Sequence, residues 1–521
     1  MATFLKIIFF TIIFIMFNNY AVASGIIHRG NNAEPASIDP HFITGVWENR
    51  IVGDMFMGLT TESVDGKIIP GLAESWSISE DGKTYIFKIR NAKWSDGKKI
   101  TAHDFEFSFK RILAPKNASK YAFILYPIKN AEEINRAQKD VNSLGVKALN
   151  NSTLKITLKN ITPFFLEQLA HYTSWAVPKH IVEKYGKNWT KKENIVVSGA
   201  FIVEDWKPQT NFKLKKNPYF WDSKNVKLDG VVYYPIENSN SELKRYRAGE
   251  LHTTGTVPSG QFKYLKKTFG KSFRIAPYLA IYYYPVNYNK IKDIRVRKAL
   301  SMAVNRDVIT QKILGEGQKP AYSFVPTGIN NYDAKTPQLP FATMSYTDAV
   351  LEAKKLMQEA GYNKSNPLEI ELKYNTSDEQ KKVAVAISAM WKQIGVKTKL
   401  FNQEAKVHYS QLKNSEFQVA RASWIGDYND PTTFTNLFLD NSYNYSRWID
   451  NTLIANAEKA DRIINLEERA KLLAKVEKSI LDSYVTIPIY YYVSKHIVSD
   501  KVIGWKDNIL NIHRSRWMDL K

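Results

Sequence analysis

The segment Ala420-Arg421-Ala422-Ser423-Trp424-Ile425-Gly426-Asp427-Tyr428-Asn429-Asp430-Pro431 places a cation, an indole and an acid within seven residues, beside the turn-forming pair Asp430-Pro431. Arg421 offers a planar fork for a carboxylate, Trp424 a wall for an apolar side chain, and Asp427 a partner for an ammonium group. Together they suit a zwitterion with a hydrophobic body. The same residues also fit a strand end with a core tryptophan and a turn aspartate, and local chemistry leaves both readings open.

Signatures of catalysis are sparse. The nine histidines are dispersed, none in the His-Glu-x-x-His spacing that puts two ligands on one helical face, and a chain without cysteine has no thiolate for zinc. Neither a phosphate loop ending in Gly-Lys-Ser/Thr nor a Gly-x-Ser-x-Gly elbow occurs. Ser-x-x-Lys appears at Ser95/Lys98, Ser152/Lys155 and Ser241/Lys244, with no Lys-Thr-Gly or Ser-Asp-Asn partner. Ser152 and Lys155 lie in an alternating stretch, where a separation of three puts them on opposite faces of a strand. No enzyme activity, cofactor or metal is expected, and an exported hydrolase built on an acid pair stays as the outside alternative.

The elements that must position these residues show in the hydrophobic pattern. Tyr85, Phe87 and Ile89, then Leu154, Ile156 and Leu158, then Ile370, Leu372 and Tyr374 alternate at the period of strands. Val296, Ala299, Leu300, Ala303 and Val304 form one face of a helix entered near Asp293. Between 347 and 402 the pattern predicts helix, strand, helix, strand. The first helix turns Ala353, Leu356, Met357 and Ala360 inward and stops at Gly361. The second starts at a Ser377/Gln380 capping box, buries Ile387, Met390, Trp391 and Ile394, and ends at Gly395 before a strand through Val396, Thr398 and Leu400. This is an α/β unit with a partly parallel sheet. No repeat of 20 to 50 residues is visible, which argues against solenoids and propellers.

With 521 residues, 44% hydrophobic and 24% charged, the chain has material for several domains and is neither disordered nor a multi-span membrane protein. Ile7 to Phe17 is the one strongly apolar stretch, short for a membrane span; with Lys6 before it and Ala21-Val22-Ala23 after it, residues 1–23 read as a signal peptide cleaved before Ser24. Without cysteine there is neither a disulfide nor a lipid-bearing thiol, so the expectation is a soluble periplasmic protein, not lipid-anchored. The net charge of +22 is scattered among acids, which reads as a lysine-rich solvated surface and not as a nucleic-acid face.

Beyond these local patterns, a long series of ordered matches carries a resemblance. They are Ser37-Ile38-Asp39-Pro40-His41, Pro70-Gly71-Leu72-Ala73-Glu74-Ser75-Trp76, Tyr85 through Phe105 with Ala92-Lys93-Trp94-Ser95-Asp96-Gly97, and Asn217-Pro218-Tyr219-Phe220-Trp221-Asp222. Arg245-Tyr246-Arg247-Ala248-Gly249-Glu250, Asp293-Ile294-Arg295-Val296-Arg297-Lys298-Ala299-Leu300, Pro320-Ala321-Tyr322 and the 420–431 segment follow. Along residues 26–495 the chain resembles the oligopeptide-binding proteins of bacterial ABC importers. The resemblance implies an α/β fold with mixed sheets: a three-domain, two-lobe clamp closing about a hinge on an extended peptide. Domain I is expected at 24–56, 179–279 and 495–521, domain II at 57–178 and domain III at 280–494. The implied partners are a peptide and the inner-membrane permease and ATPase subunits of the importer, with the binding protein itself a monomer.

Position by position, the resemblance matches Asp427 to the acid that meets the peptide's ammonium group and Arg421 to a cation able to meet a carboxylate. Val46 and Ser423 match main-chain contacts, Tyr121 a contact from domain II, and Trp424 a pocket wall. The chain departs from close relatives at Thr44 (an acid there), Gln380 (a histidine), Ala405 (a pocket tryptophan) and Thr256 (a backbone-binding asparagine). Ala280 and Ile425 stand where some relatives pair cysteines. These departures leave murein peptides, haem or a metal chelate as alternative ligands of the same clamp.

Overall fold

The computed structural model describes residues 25–330, 332, 336–363, 365–439 and 443–521. The expected signal peptide lies outside the described residues.

Apolar side chains segregate into two large cores. One, here lobe 1, gathers Ile27, Phe56, Phe87, Phe105, Ile156, Trp189, Leu214 and Tyr233 with Val498 and Met518 from the chain's end. Two four-stranded sheets frame it. In the first, Ile26–Gly30 runs parallel to Gly230–Tyr234, followed by Asn211–Lys216 and Phe201–Lys207 in antiparallel order. In the second, Ala73–Ile78, Thr84–Ile89, Thr153–Thr157 and Val146–Asn150 are antiparallel. Tyr85, Phe87, Ile89, Leu154 and Ile156 all point into the core, as alternation requires.

The other core, lobe 2, holds Tyr282, Val296, Leu300, Leu356, Ile387, Trp391, Val419 and Ile480. The expected α/β unit is present: helix Tyr346–Glu359, strand Leu368–Asn375, helix Asp378–Lys392 and strand Val396–Gln403, the two strands pairing in parallel. Gly361 and Gly395 end the helices in the left-handed conformation, at φ 88° and 82°. The helix at Asp293 runs Ile294–Met302, capped by the Asp293 carboxylate, which accepts from the Arg295 amide. The capping box at Ser377 does not form: Ser377 takes the N-cap position, but its side chain makes no capping bond, and Gln380 is buried in lobe 2 with no partner on its carbonyl oxygen.

Two long strands join the lobes. Phe273–Pro285 pairs antiparallel with Thr486–Ile497. At one end Phe273 and Ile497 pack with Leu243 and Leu265; at the other, Tyr282, Tyr284, Ile487 and Tyr490 belong to the lobe 2 core. The register breaks between Pro277 and Ile281, where the pair passes from one lobe to the other. Lost ladder bonds at a bulge let a strand pair bend, which suits a hinge.

Candidate functional site

Between the lobes lies a cavity of about 150 Å³ whose walls come from both cores and from the connecting segments. On the lobe 2 side, the edge strand Ala422–Ile425 pairs with Phe273–Pro285, setting Ser423 opposite Tyr282, Trp424 opposite Ile281 and Ile425 opposite Ala280. That last pairing puts the two positions that the resemblance matches to a cysteine pair of some relatives on adjacent strands. The chain leaves the strand at Gly426, where a Cβ would fall 2.6 Å from the Leu279 side chain, itself fully buried, so only glycine fits the approach. The Asp427 amide then donates to Thr433 Oγ1 at 3.0 Å, which fixes the turn and sends the carboxylate into the cavity.

The Asp427 carboxylate has no hydrogen-bond or ion-pair partner among the described residues. Burial, with no compensating charge, pushes its pKa up to about 7. Tyr121 and Tyr172 face it from lobe 1, and their phenols are pushed up by burial first and also by this carboxylate. The tyrosines pack on each other with ring centres 5.9 Å apart.

Thr44 and Val46 form another wall, positioned by a buried carboxylate. Glu48 Oε1 accepts from the amides of Ala36 and Ser37, and Oε2 from those of Thr44 and Gly45, which seats this stretch against the start of helix Val46–Met55. Thr44 and Val46 are exposed to the cleft.

Arg421 is buried further along the same segment. Its Nη1 donates to Tyr409 Oη at 2.9 Å and to Asn375 Oδ1 at 3.3 Å, its Nη2 to Tyr492 Oη at 2.9 Å, and the guanidinium lies 5.0 Å from the Tyr282 ring centre. No carboxylate meets it among the described residues, and its Nε has no partner. Trp424 packs edge-on against Tyr443 at 5.2 Å, and Tyr443 reaches Phe123 of lobe 1 at 5.5 Å, so aromatic contacts cross the cleft here.

The structure therefore brings four of the expected residues, Thr44, Val46, Tyr121 and Asp427, to one cavity. Ser423 and Trp424 lie on the strand that leads to it, and Arg421 directly precedes that strand. Gln380 is buried in lobe 2, and Ala405 is exposed at the start of helix Ala405–Asn414, one turn before Tyr409. Thr256 is half-buried, its amide donating to Glu242 at 3.3 Å. Sequence reasoning missed the rest of the wall, including Glu167, His171, Tyr172 and Tyr278. No local signal marks them: Glu167, His171 and Tyr172 come from two short helical turns close together in lobe 1 and Tyr278 from the middle of the long strand Phe273–Pro285, and only the fold brings them to the segment that holds Asp427.

Asp427 in the cavity and the buried Arg421 six residues before it are thus both without ionic partners among the described residues, and the cavity lies between the two lobes. Residues 67–446 match the family described as bacterial extracellular solute-binding proteins, family 5, middle region. The chain belongs to this family. It is 39% identical to the periplasmic oligopeptide-binding protein OppA of Salmonella typhimurium, over 93% of this chain and 91% of that protein. The Escherichia coli periplasmic murein peptide-binding protein MppA is 36% identical, over 91% and 89%. Among solved structures, Haemophilus influenzae OppA in complex with the peptide RPPGFSPFR superposes with a TM-score of 0.84 at 34% identity, covering 96% of this chain and 99% of that one. The murein tripeptide-binding protein of Escherichia coli gives 0.85, at 34% identity and the same coverage. The fold is thus that of this clamp-like group of binding proteins. No helix among the described residues is long and apolar enough to cross a membrane.

Proposed function

We propose that this family member is a periplasmic oligopeptide-binding protein that captures extended peptides between its lobes and delivers them to the permease and ATPase subunits of an ABC importer, without chemical turnover. The observation that carries the reading is Asp427, an unpaired carboxylate facing the inter-lobe cavity opposite Tyr121. A buried charge without a partner is costly, and a peptide's ammonium group supplies one. Arg421 is the matching cation for a carboxylate, and the edge strand at Ser423 and the backbone at the helix start, Val46, are suited to hydrogen-bonding a peptide backbone, which ignores side-chain identity. Trp424 serves as a wall for a side chain, and Thr44, Thr256, Gln380 and Ala405 tune the surroundings.

The proposed division is domain I at 24–56, 179–279 and 495–521, domain II at 57–178 and domain III at 280–494; the two cores and the strand pair connecting them support its two-lobe part. The protein works as a monomer, exported by cleavage before Ser24 and free of lipid because it has no cysteine. A murein peptide as ligand is the second reading, favoured by the similarity to the murein peptide-binding protein.

Mass spectrometry of ligand retained by gently purified protein tests both. A mixture of peptides is the expected result, a single murein species would favour the second reading, and hydrolysis of the bound peptide would overturn a binding-only role.

A further inference from the structure

The cavity that holds Asp427 has a second unpaired carboxylate on its wall. Glu167 lies on the short helix Phe165–Gln168 of lobe 1 and lines the same space. Among the described residues no other residue donates a hydrogen bond to its carboxylate and no cation pairs with it. Burial is the main reason its pKa is pushed up to about 7, with Asp430 adding to the rise and Arg469 opposing it.

Its surroundings are net acidic, although the chain as a whole is strongly basic. Glu167, Asp430 and Asp461 all feel the guanidinium of Arg469, and at Asp461 the further cation Arg462 is set against the further acid Glu458. Both forks of that guanidinium are taken by Asp430, at 2.7 and 2.9 Å. Phe164, stacked on Tyr428 with ring centres 5.1 Å apart and covered by Arg469, closes this wall with apolar surface. The cavity's other cations are committed elsewhere. Arg50 donates to Asn32 and to the Gly255 carbonyl, and Arg514 to Asn49 and Glu62. His171 is held neutral, its pKa lowered to about 3 by burial first and then by Arg514.

Glu167 stands on helix Phe165–Gln168 of lobe 1 and Asp427 on the turn after strand Ala422–Ile425 of lobe 2, so they reach the cavity from different lobes. The two carboxylates are separate sites in one cavity, and a ligand that fills Asp427 with its ammonium group leaves Glu167 without a cation. We infer that Glu167 is a specificity-determining residue that receives the cationic side chain of a peptide's first or second residue. The inference rests on the peptide-binding reading above and narrows its ligand class to peptides that are basic near the amino end.

Calorimetry on the full mature protein at about pH 8, where both carboxylates are ionised, tests it with two peptides that differ only in lysine or norleucine at the first position, and a second pair that differs at the second position. In one of the pairs the lysine peptide should bind about tenfold more tightly, as expected for a close charge pair in a desolvated site. In Glu167→Gln that ratio should collapse to within about twofold, and in Glu167→Lys it should invert in favour of norleucine. Equal binding within both pairs by the unmutated protein would overturn the inference while leaving the peptide reading intact, and so would a preference that survives in Glu167→Gln. Failure of all four peptides to bind would overturn both. Absence of discrimination by the unmutated protein decides against the inference without any variant, and a preference seen there is assigned to Glu167 by its loss in a Glu167→Gln protein whose circular dichroism matches the parent's.

Discussion

Asp427 and Asp430 lie three residues apart in one turn, and the fold treats them in opposite ways. Asp430 meets Arg469 in a two-pronged ion pair, both side chains 0% exposed, and its Oδ1 also accepts from the Thr432 amide and hydroxyl. Asp427 has nothing. The cations differ in the same way, since Arg469 has its carboxylate while Arg421, among the described residues, has hydroxyls, an amide and an aromatic face. A charge that serves the fold is neutralised within the chain at the moment of folding. On the proposed peptide-binding reading, one that serves binding is left open, at some cost in stability, and is neutralised only by what enters the cleft.

The most damaging way to probe this contrast is to break the structural pair. Arg469→Ala strands a fully buried carboxylate, so unfolding free energy should fall by about 3–5 kcal/mol. Denaturant titration reads this directly. A loss below about 1 kcal/mol would mean that solvent reaches Asp430 and that the two aspartates are alike after all.

Asp427→Asn should behave the other way round. Folding stability should hold or improve, while affinity for peptides with a free amino end should fall by about 2–5 kcal/mol, because the ligand loses its counter-charge in a desolvated site. N-acetylated peptides should bind poorly to the unmutated protein for the same reason. Equal affinities for free and acetylated peptides would remove the amino-end role from Asp427.

A pH series sharpens the comparison further. The folded pKa of Asp427, about 7, lies above the ordinary 3.8, so the folded state holds this proton more tightly than the unfolded chain. Its favourable contribution is complete below about pH 4 and is lost as pH rises through about 7. Histidines with lowered pKa, such as His41 and His496 at about 4, pull the other way, favouring the folded state above about pH 6.5, so the informative quantity is a difference between proteins. Without ligand, Asp427→Asn should gain stability relative to the parent between pH 5 and pH 8, by about 1–2 kcal/mol after allowance for partial exposure. Peptide binding to the parent should strengthen over the same interval as the carboxylate ionises. A flat difference would show that Asp427 is already ionised at pH 5 and is not desolvated.

How much of this was legible beforehand depended on whether the signal was local. The helix stripe Ile387, Met390, Trp391 and Ile394 and the glycine stops at 361 and 395 report on their own neighbours, and they read correctly. The parallel pairing of Leu368–Asn375 with Val396–Gln403 followed from the order of elements. The strand pair that hinges the lobes did not, because Phe273–Pro285 and Thr486–Ile497 stand some 200 residues apart and each reads as an ordinary strand. Asp427 stood out through its neighbours in sequence and the family resemblance. Arg469 did not, since its helix, Leu466–Ser483, is rich in charge and reads as a surface element. That Asp430 would be the paired acid and Asp427 the open one depends on which of them Arg469 reaches, and spacing in sequence carries no such distance.

The smallest expected effect concerns the far side of Arg421. Ala405, which the resemblance matches to a pocket tryptophan, lies exposed one helical turn before Tyr409, whose hydroxyl holds Arg421. Residues four apart share a helix face, so an indole at 405 would stand beside the Tyr409 ring and narrow the space next to Arg421. A fully buried indole covers about 150–250 Å², worth several kcal/mol at roughly 25 cal/mol per Å², but at this exposed site most of that surface stays wet. Ala405→Trp should therefore shift affinities by about 1 kcal/mol or less, improving peptides with small side chains at the position nearest Arg421 and weakening those with bulky ones. Backbone hydrogen bonding and the Asp427 contact are untouched, so peptides of every class should still bind. Calorimetry over a panel varied at one position at a time measures the ranking. An unchanged order at every position would show that residue 405 does not border the ligand and that the pocket beside Arg421 is walled by Tyr409 alone.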